Sequence, residues 1–434
     1  MRLFFLWTFL FATIAGFAQA QFERDFSNAT LRVDYTFSGD AHSQDIALDE
    51  LRKSEGWAGR RVNLDTLILK GNGQISMSSV KDGRIIYKTS FSTLFQEWQT
   101  TEEAQSTRRS FQNVFQLPMP REDADITVTL FDTYHKATGS FTHRVRVQDI
   151  LIRPISTRQP APHRYLHKGG SPEKAIDIAI VAEGYTAAEQ ALFYKDAQIA
   201  ADELLRYSPF SNYRERINIV GVALPSQESG VSIPGKNIWK HTAVSSHFDT
   251  FYSDRYLTTL QLKQLNDALA GIDYEHIIIL ANTENYGGGG IYNSYTLAAA
   301  HHPAFKPVVV HEFGHSFAGL ADEYFYPEQE MDFYHSGVEP WEQNITTLAH
   351  FSEKWEDMLP ANTPVPTPSE GLAPTDTQQI GVYEGAGYKG KGVYRPFQDC
   401  RMRTNETPNF CKVCHRAIDR LIRYYTEALP QSRK

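Results

Sequence analysis

The chain has 434 residues, 41% of them hydrophobic and 22% charged, the balance of a soluble globular protein able to bury two or three cores. A formal charge of −8 at pH 7 gives no support for the basic surface of a nucleic-acid binder, and no nucleic-acid partner is expected. Three cysteines are too few to frame the fold with disulfides.

The first twenty residues, MRLFFLWTFLFATIAGFAQA, place Arg2 before an apolar run from Leu3 to Phe17 and end in Ala18-Gln19-Ala20. That order is the layout of a secretory signal peptide over residues 1–20. A membrane anchor is the rival reading, but the A-x-A ending favours cleavage, and no cysteine stands there to take a lipid. No later run reaches eighteen apolar residues. The mature protein is therefore expected to be exported, to a periplasm or the medium, with no stable membrane insertion.

Residues 21–155 alternate apolar and polar positions in LRVDYTFSGD, in VNLDTLILKGNGQISMSSVKDGRIIYKTSF and in DITVTLFDTYHKATGSFTHRVRVQDILI. Short alternating runs punctuated by Gly, Asn and Asp predict an all-β sandwich, with one helical patch near TLFQEWQTTEEAQST. Residues 156–174, STRQPAPHRYLHKGGSPEK, carry three prolines and paired glycines and read as a linker.

From 175 to 430 the pattern becomes α/β (α+β). AIDIAIVAEGY is a strand apolar on both faces. The helix that follows opens with Thr186 and Glu189 as a capping box. INIVGVALP and EHIIILANT are further strands, and LTTLQLKQLNDAL is a helix between them. The Pro-, Gly- and Thr-rich stretch 360–398 reads as a long surface loop.

The chemistry concentrates in HEFGHSFAGLADEY, residues 311–324. On a helix, positions i and i+4 share a face, so His311 and His315 can direct their rings at one ion. Glu312, turned about 100° away, leans beside the metal without ligating it. A zinc-bound water needs such a base to take its proton and deliver it to a leaving amine. A plain amphipathic helix with Val309, Val310, Phe313 and Phe317 in a core would show the same residues, so the neighbouring features decide. Gly319 can end the helix in a left-handed turn, freeing Asp322 to swing back as third ligand, with Glu323 an alternative. NYGGGGIYNSY, residues 285–295, suits an edge strand that a substrate backbone approaches closely. Met402, in DCRMRT, fits a methionine turn beneath the metal.

Taken together, DIAIVAEGYTAAE, the glycine tract, HEFGHSFAGLADEY and DCRMRTNETPNFCKVCHRAID resemble the M64 family, the IgA peptidase family of zinc metallopeptidases. The β region before them resembles the N-terminal domain that accompanies this catalytic unit. The resemblance implies a metzincin-like zinc peptidase domain, a Zn²⁺ cofactor and protein or peptide substrates. It departs from the metzincin pattern by one extra residue between His315 and Gly319, while the Gly-x-x-Asp spacing to Asp322 is kept.

Cys411 and Cys414 form a C-x-x-C. With Cys400 and His415 they could complete a second zinc site; a disulfide from Cys400 to one of the pair, clipping the methionine turn to the last helix, is the preferred reading. His301 and His302 are expected on a solvated loop. His335, Tyr324, Phe325 and Tyr326 are expected to shape the cleft, with a tyrosine donating to the oxyanion. The leading functional expectation is an exported zinc endopeptidase with Glu312 as general base and His311, His315 and Asp322 as ligands. The alternatives are a non-catalytic surface protein that binds protein or glycan, and a zinc hydrolase of cell-wall peptides.

Overall fold

The computed structural model describes residues 20–327, 333–369 and 379–429. The expected signal segment, but for its last residue, lies outside the described residues. The N-terminal part is built from β1 (Phe26–Gly39), β2 (Gln44–Glu55), β3 (Gly73–Ser79), β4 (Ile85–Phe91), β5 (Arg109–Pro120), β6 (Ala124–Phe131), β7 (Ala137–Val145) and β8 (Arg153–Pro154). They form two four-stranded sheets, β5-β1-β2-β8 and β4-β3-β6-β7, antiparallel except for the short β2–β8 pair. The period of two along each strand sends one set of side chains into a shared aromatic core. Phe91 and Phe115, from opposite sheets, stand 4.5 Å apart between ring centroids, and the Tyr35 hydroxyl meets His143 Nε2 at 2.6 Å. The helical patch forms as α1 (Leu94–Trp98), capped by the Thr93 side chain.

The other face of β1 differs from expectation. Alternation predicts that Arg32 and Asp34 meet solvent, yet both are buried. Helix α2 (Gln190–Leu204) is followed by α3 (Leu262–Ala268), and α3 covers this face. Arg32 pairs with Asp34 at 2.7 and 2.8 Å and also reaches Asp267 on α3. The two halves of the chain thus share one continuous apolar core.

The segment read as a linker contains β9 (His163–Lys168), an antiparallel edge strand on β11 (Ile217–Val222). Its prolines and glycines flank the strand rather than interrupt it. The second sheet has the order β13-β14-β12-β10-β11-β9, with β10 (Ile176–Glu183), β12 (His276–Ala281), β13 (Gly288–Ile291) and β14 (Tyr295–Ala299). Four central strands are parallel and both edges are antiparallel. Every residue of β10 is buried, as a strand covered on both faces must be. The capping box of Thr186 and Glu189 forms as expected. Helix α4 (Phe305–Ala318) lies against β13 and β14 and against α2 and α5 (Lys412–Thr426). A hairpin of β15 (Tyr383–Ala386) and β16 (Lys389–Arg395) completes the surroundings of the site.

The last helix returns to the first sheets. Asn63 Nδ2 donates to the carbonyls of Tyr424 and Glu427 at 2.7 and 2.8 Å, and its Oδ1 accepts the Leu429 N–H at 3.0 Å.

Candidate metal centre

Helix α4 ends where Gly319 takes φ +56°. Its N–H bonds the His315 carbonyl at 2.9 Å, the single bond of an αL cap, and the Leu320 N–H reaches back to the Gly314 carbonyl at 3.2 Å. A Cβ on Gly319 would also lie 2.5 Å from the Trp341 ring, so glycine is required twice over. The extra residue before it simply extends the helix to Ala318. Beyond the turn the chain folds back, and Asp322 returns to the face that carries both histidines.

There His311 Nε2 and His315 Nε2 stand 3.0 Å apart, and Asp322 Oδ1 lies 3.0 Å from the first and 3.3 Å from the second. The far side of each ring is anchored. His311 Nδ1 meets the Arg401 carbonyl at 2.9 Å, and His315 Nδ1 meets the Leu320 carbonyl at 2.5 Å. A carbonyl can only accept, so each Nδ1 carries the hydrogen and each neutral ring presents an Nε2 lone pair. Two lone pairs and a carboxylate oxygen therefore converge on one point, an arrangement that calls for a cation. Two imidazoles and a carboxylate, with second hydrogen bonds fixing the rings, suit zinc. Without an ion a proton must stand in: burial disfavours a charged ring, but the Asp322 carboxylate overrides it and lifts His315 to about 9. Burial would raise Asp322 in turn, yet the rings hold it well below the usual carboxylate range.

Glu312, beside this cluster on α4, is raised above the ordinary carboxylate value by burial, opposed by His311 and His315. It abuts the glycine tract: a Cβ on Gly288 would fall 3.0 Å from Glu312 Oε1. Gly290 is tighter still, with a Cβ there 2.3 Å from the Glu312 carbonyl and 2.8 Å from His315 Cβ. The tract does form an edge strand, β13, but its glycines are needed first for the approach of α4. At Gly288 the outer edge is already taken by the Arg255 carbonyl and the Leu257 N–H, at 3.3 and 3.4 Å.

The alternative ligand, Glu323, faces away. Fully buried, its Oε1 accepts from Asn344 Nδ2 and from Cys414 Sγ, each at 2.9 Å. Met402 lies beneath α4, its sulfur 2.7 Å from where a Gly314 Cβ would sit, and its carbonyl accepts the Glu323 N–H at 2.8 Å. His335 stacks on Tyr134 with centroids 4.0 Å apart and bonds Thr133 at 2.8 Å. His301 bonds Asp196 at 2.8 Å. Tyr324 does border the site, 6.5 Å from the His311 ring between centroids. No disulfide forms among Cys400, Cys411 and Cys414, so the expected clip is absent from this structure.

Two residues near the centre escaped sequence reasoning. Tyr388 donates its hydroxyl hydrogen to Asp322 Oδ2 and lies 3.1 Å from the Tyr324 hydroxyl. It sits in GAGYKGKG, a stretch that reads as loop; the signal would have been a bulky residue among turn glycines, held at φ +61°. Glu97, from α1 of the N-terminal part, accepts from the Tyr256 hydroxyl at 2.7 Å. Burial pushes it to about 7 despite that bond and the nearby His315 charge. No local pattern announces it.

Residues 165–377 and 372–422 match the family model described as IgA Peptidase M64, and residues 21–142 match that described as Peptidase M64 N-terminus. No curated protein matches the chain.

Proposed function

Because the chain belongs to the M64 peptidase family, we propose that it is an exported zinc endopeptidase in which His311, His315 and Asp322 hold the metal and Glu312 moves the proton. The observation that carries this reading is the meeting of two anchored Nε2 lone pairs and one carboxylate oxygen within 3.3 Å of one another. Zn²⁺, when bound, supplies Lewis acidity: it polarises a scissile carbonyl and lowers the pKa of a coordinated water to about 7. The rest falls to the chain. Glu312 accepts the proton of the attacking water at its carboxylate and returns it to the leaving amine, a role its raised affinity for protons suits. Gly288 and Gly290 hold that carboxylate and the histidine helix against the sheet edge. The Tyr324 hydroxyl donates to that of Tyr388, whose own hydrogen goes to Asp322, so the two phenols steady the third ligand.

The left-handed glycine, the acid after it and the methionine below support a metzincin-like layout. Peptidase membership implies protein or peptide substrates. We take residues 21–155 as a β domain that positions or recognises the target and 175–430 as the catalytic unit. Export rests on the signal-like segment of residues 1–20; among the described residues no helix is long and apolar enough to cross a membrane. The binding-protein and cell-wall alternatives have no observation of their own in their favour.

Glu312→Gln tests the assignment. The variant is expected to keep its zinc and lose casein cleavage by about 10²–10⁴-fold. Cleavage at the parental rate would overturn the role of Glu312, and a loss of zinc from a triple His311, His315 and Asp322 alanine variant no greater than background would overturn the ligand set.

A further inference from the structure

Successive residues of the Asp322–Glu323 segment serve different clusters. Asp322 meets the histidines, and Glu323 meets Cys400, Cys411 and Cys414. All four members of this second cluster are buried, and one ligand atom from each lies within 4.8 Å of the others. Cys400 Sγ and Cys414 Sγ are 3.7 Å apart. Two thiolates held about 2.3 Å from one tetrahedral ion would stand about 3.8 Å apart. Cys414 Sγ lies 2.9 Å from Glu323 Oε1, while Glu323 Oε2 is buried and has no partner. A fully buried carboxyl oxygen left without a partner is rare in folded proteins and asks for an explanation.

Burial raises the Cys400 and Cys414 thiols, yet backbone donors are in place to stabilise thiolates once an ion displaces their protons. Cys411 is the N-cap of the fifteen-residue α5, and its sulfur accepts the Cys414 N–H. Cys400 Sγ accepts the Cys411 N–H at 3.2 Å. Backbone N–H donors and a helix N-terminus both stabilise negative sulfur. His415, which sequence spacing offers as a fourth ligand, is engaged with Ser208 at 2.7 Å. Glu323, which spacing offers to the catalytic ion, stands in its place.

We propose that Cys400, Cys411, Cys414 and Glu323 bind a structural Zn²⁺, separate from the ion of the catalytic centre. Three sulfurs select a soft or borderline ion, and four protein donors form a closed tetrahedral set with no open position. Binding displaces the thiol protons and changes no oxidation state. The ion ties three segments to one point. Glu323 follows Asp322 in the chain, Cys400 precedes the Arg401 carbonyl that anchors His311, and Cys411 and Cys414 start the last helix. The site therefore braces the third catalytic ligand, one histidine and the methionine turn together.

The experiment uses full-length protein, purified without chelator, with zinc counted by mass spectrometry and its shell read by X-ray absorption. Wild type is expected to hold two zinc ions per chain. His311→Ala with His315→Ala is expected to hold one, in a shell of three sulfurs and one lighter atom. Cys414→Ser is expected to lose that ion; if it fails to fold, the histidine variant alone carries the test. A histidine variant without zinc, or with a shell lacking sulfur, would overturn the proposal. So would a two-dalton mass deficit in unreduced protein that marks a Cys400–Cys414 disulfide.

Discussion

The Tyr388 hydroxyl donates to Asp322 Oδ2, while Oδ1 of the same carboxylate faces both His311 and His315. One oxygen is thus held by the hairpin β15–β16 so that the other stays aimed at the ligand point. Outer partners of this kind typically contribute 10–100-fold to metal affinity. Tyr388→Phe is expected to weaken zinc binding by about that factor, measured by competition with a chromophoric chelator. An unchanged affinity would mean that the backbone alone orients Asp322.

Zinc uptake should release a proton. With His315 lifted to about 9 in the metal-free protein, its ring is charged at pH 7 and must deprotonate to ligate. Apparent affinity is expected to rise about tenfold per pH unit between 7 and 8.5 and level off above 9. Calorimetry in two buffers of different ionisation enthalpy should count about one proton per ion at pH 7 from this site.

Gly290→Ala places a methyl group against the Glu312 carbonyl and His315 Cβ, neither of which is the end of a flexible side chain. Overpacking of this kind costs about 1–3 kcal/mol. The expected result is a lower melting temperature together with weakened zinc binding, since α4 must shift to make room. Normal stability and metal content would show that β13 can move aside.

Asp177, at the start of β10, is pushed up to about 7 by burial, against the hydrogen bond from Asn218 and with help from the Asp273 charge. One of its carboxyl oxygens has no partner. The unfolded chain ionises this group near 3.8, so the folded state holds an extra proton between pH 4 and 7. Its contribution to stability is present in full below pH 4 and is lost as pH rises through 7. At about 1.4 kcal/mol per pKa unit, the ceiling is about 4 kcal/mol. Asp177→Asn is expected to raise the melting temperature relative to wild type at pH 8 and leave it unchanged at pH 4. Equal differences at both pH values would contradict this.

What could be read from sequence was local. The period of β10, the Thr186–Glu189 box, the i, i+4 histidines and the glycine that stops α4 each depend on neighbours a few residues away, and each is found as expected. Where contacts span the chain, reading faltered. Arg32 and Asp34 follow the alternation of an exposed face, and only α3, more than two hundred residues later, buries them. The glycines of β13 mark a close approach, but which partner comes close is decided by α4. Asp322 and Glu323 are chemically near twins; the bend after Gly319 sends one to the histidines and the other to the sulfurs. Tyr388 and Glu97 reach the centre from segments whose composition says only loop and short helix.

Asn63 grips the end of α5 across 366 positions of chain. During synthesis the early sheets emerge first and present their binding spot for the closing helix long before that helix exists. Contacts so distant in sequence form slowly, so the docking of α5 is expected among the last steps of folding. The Cys411–Cys414 start of that helix is then expected to reach its place only when the two ends of the chain meet.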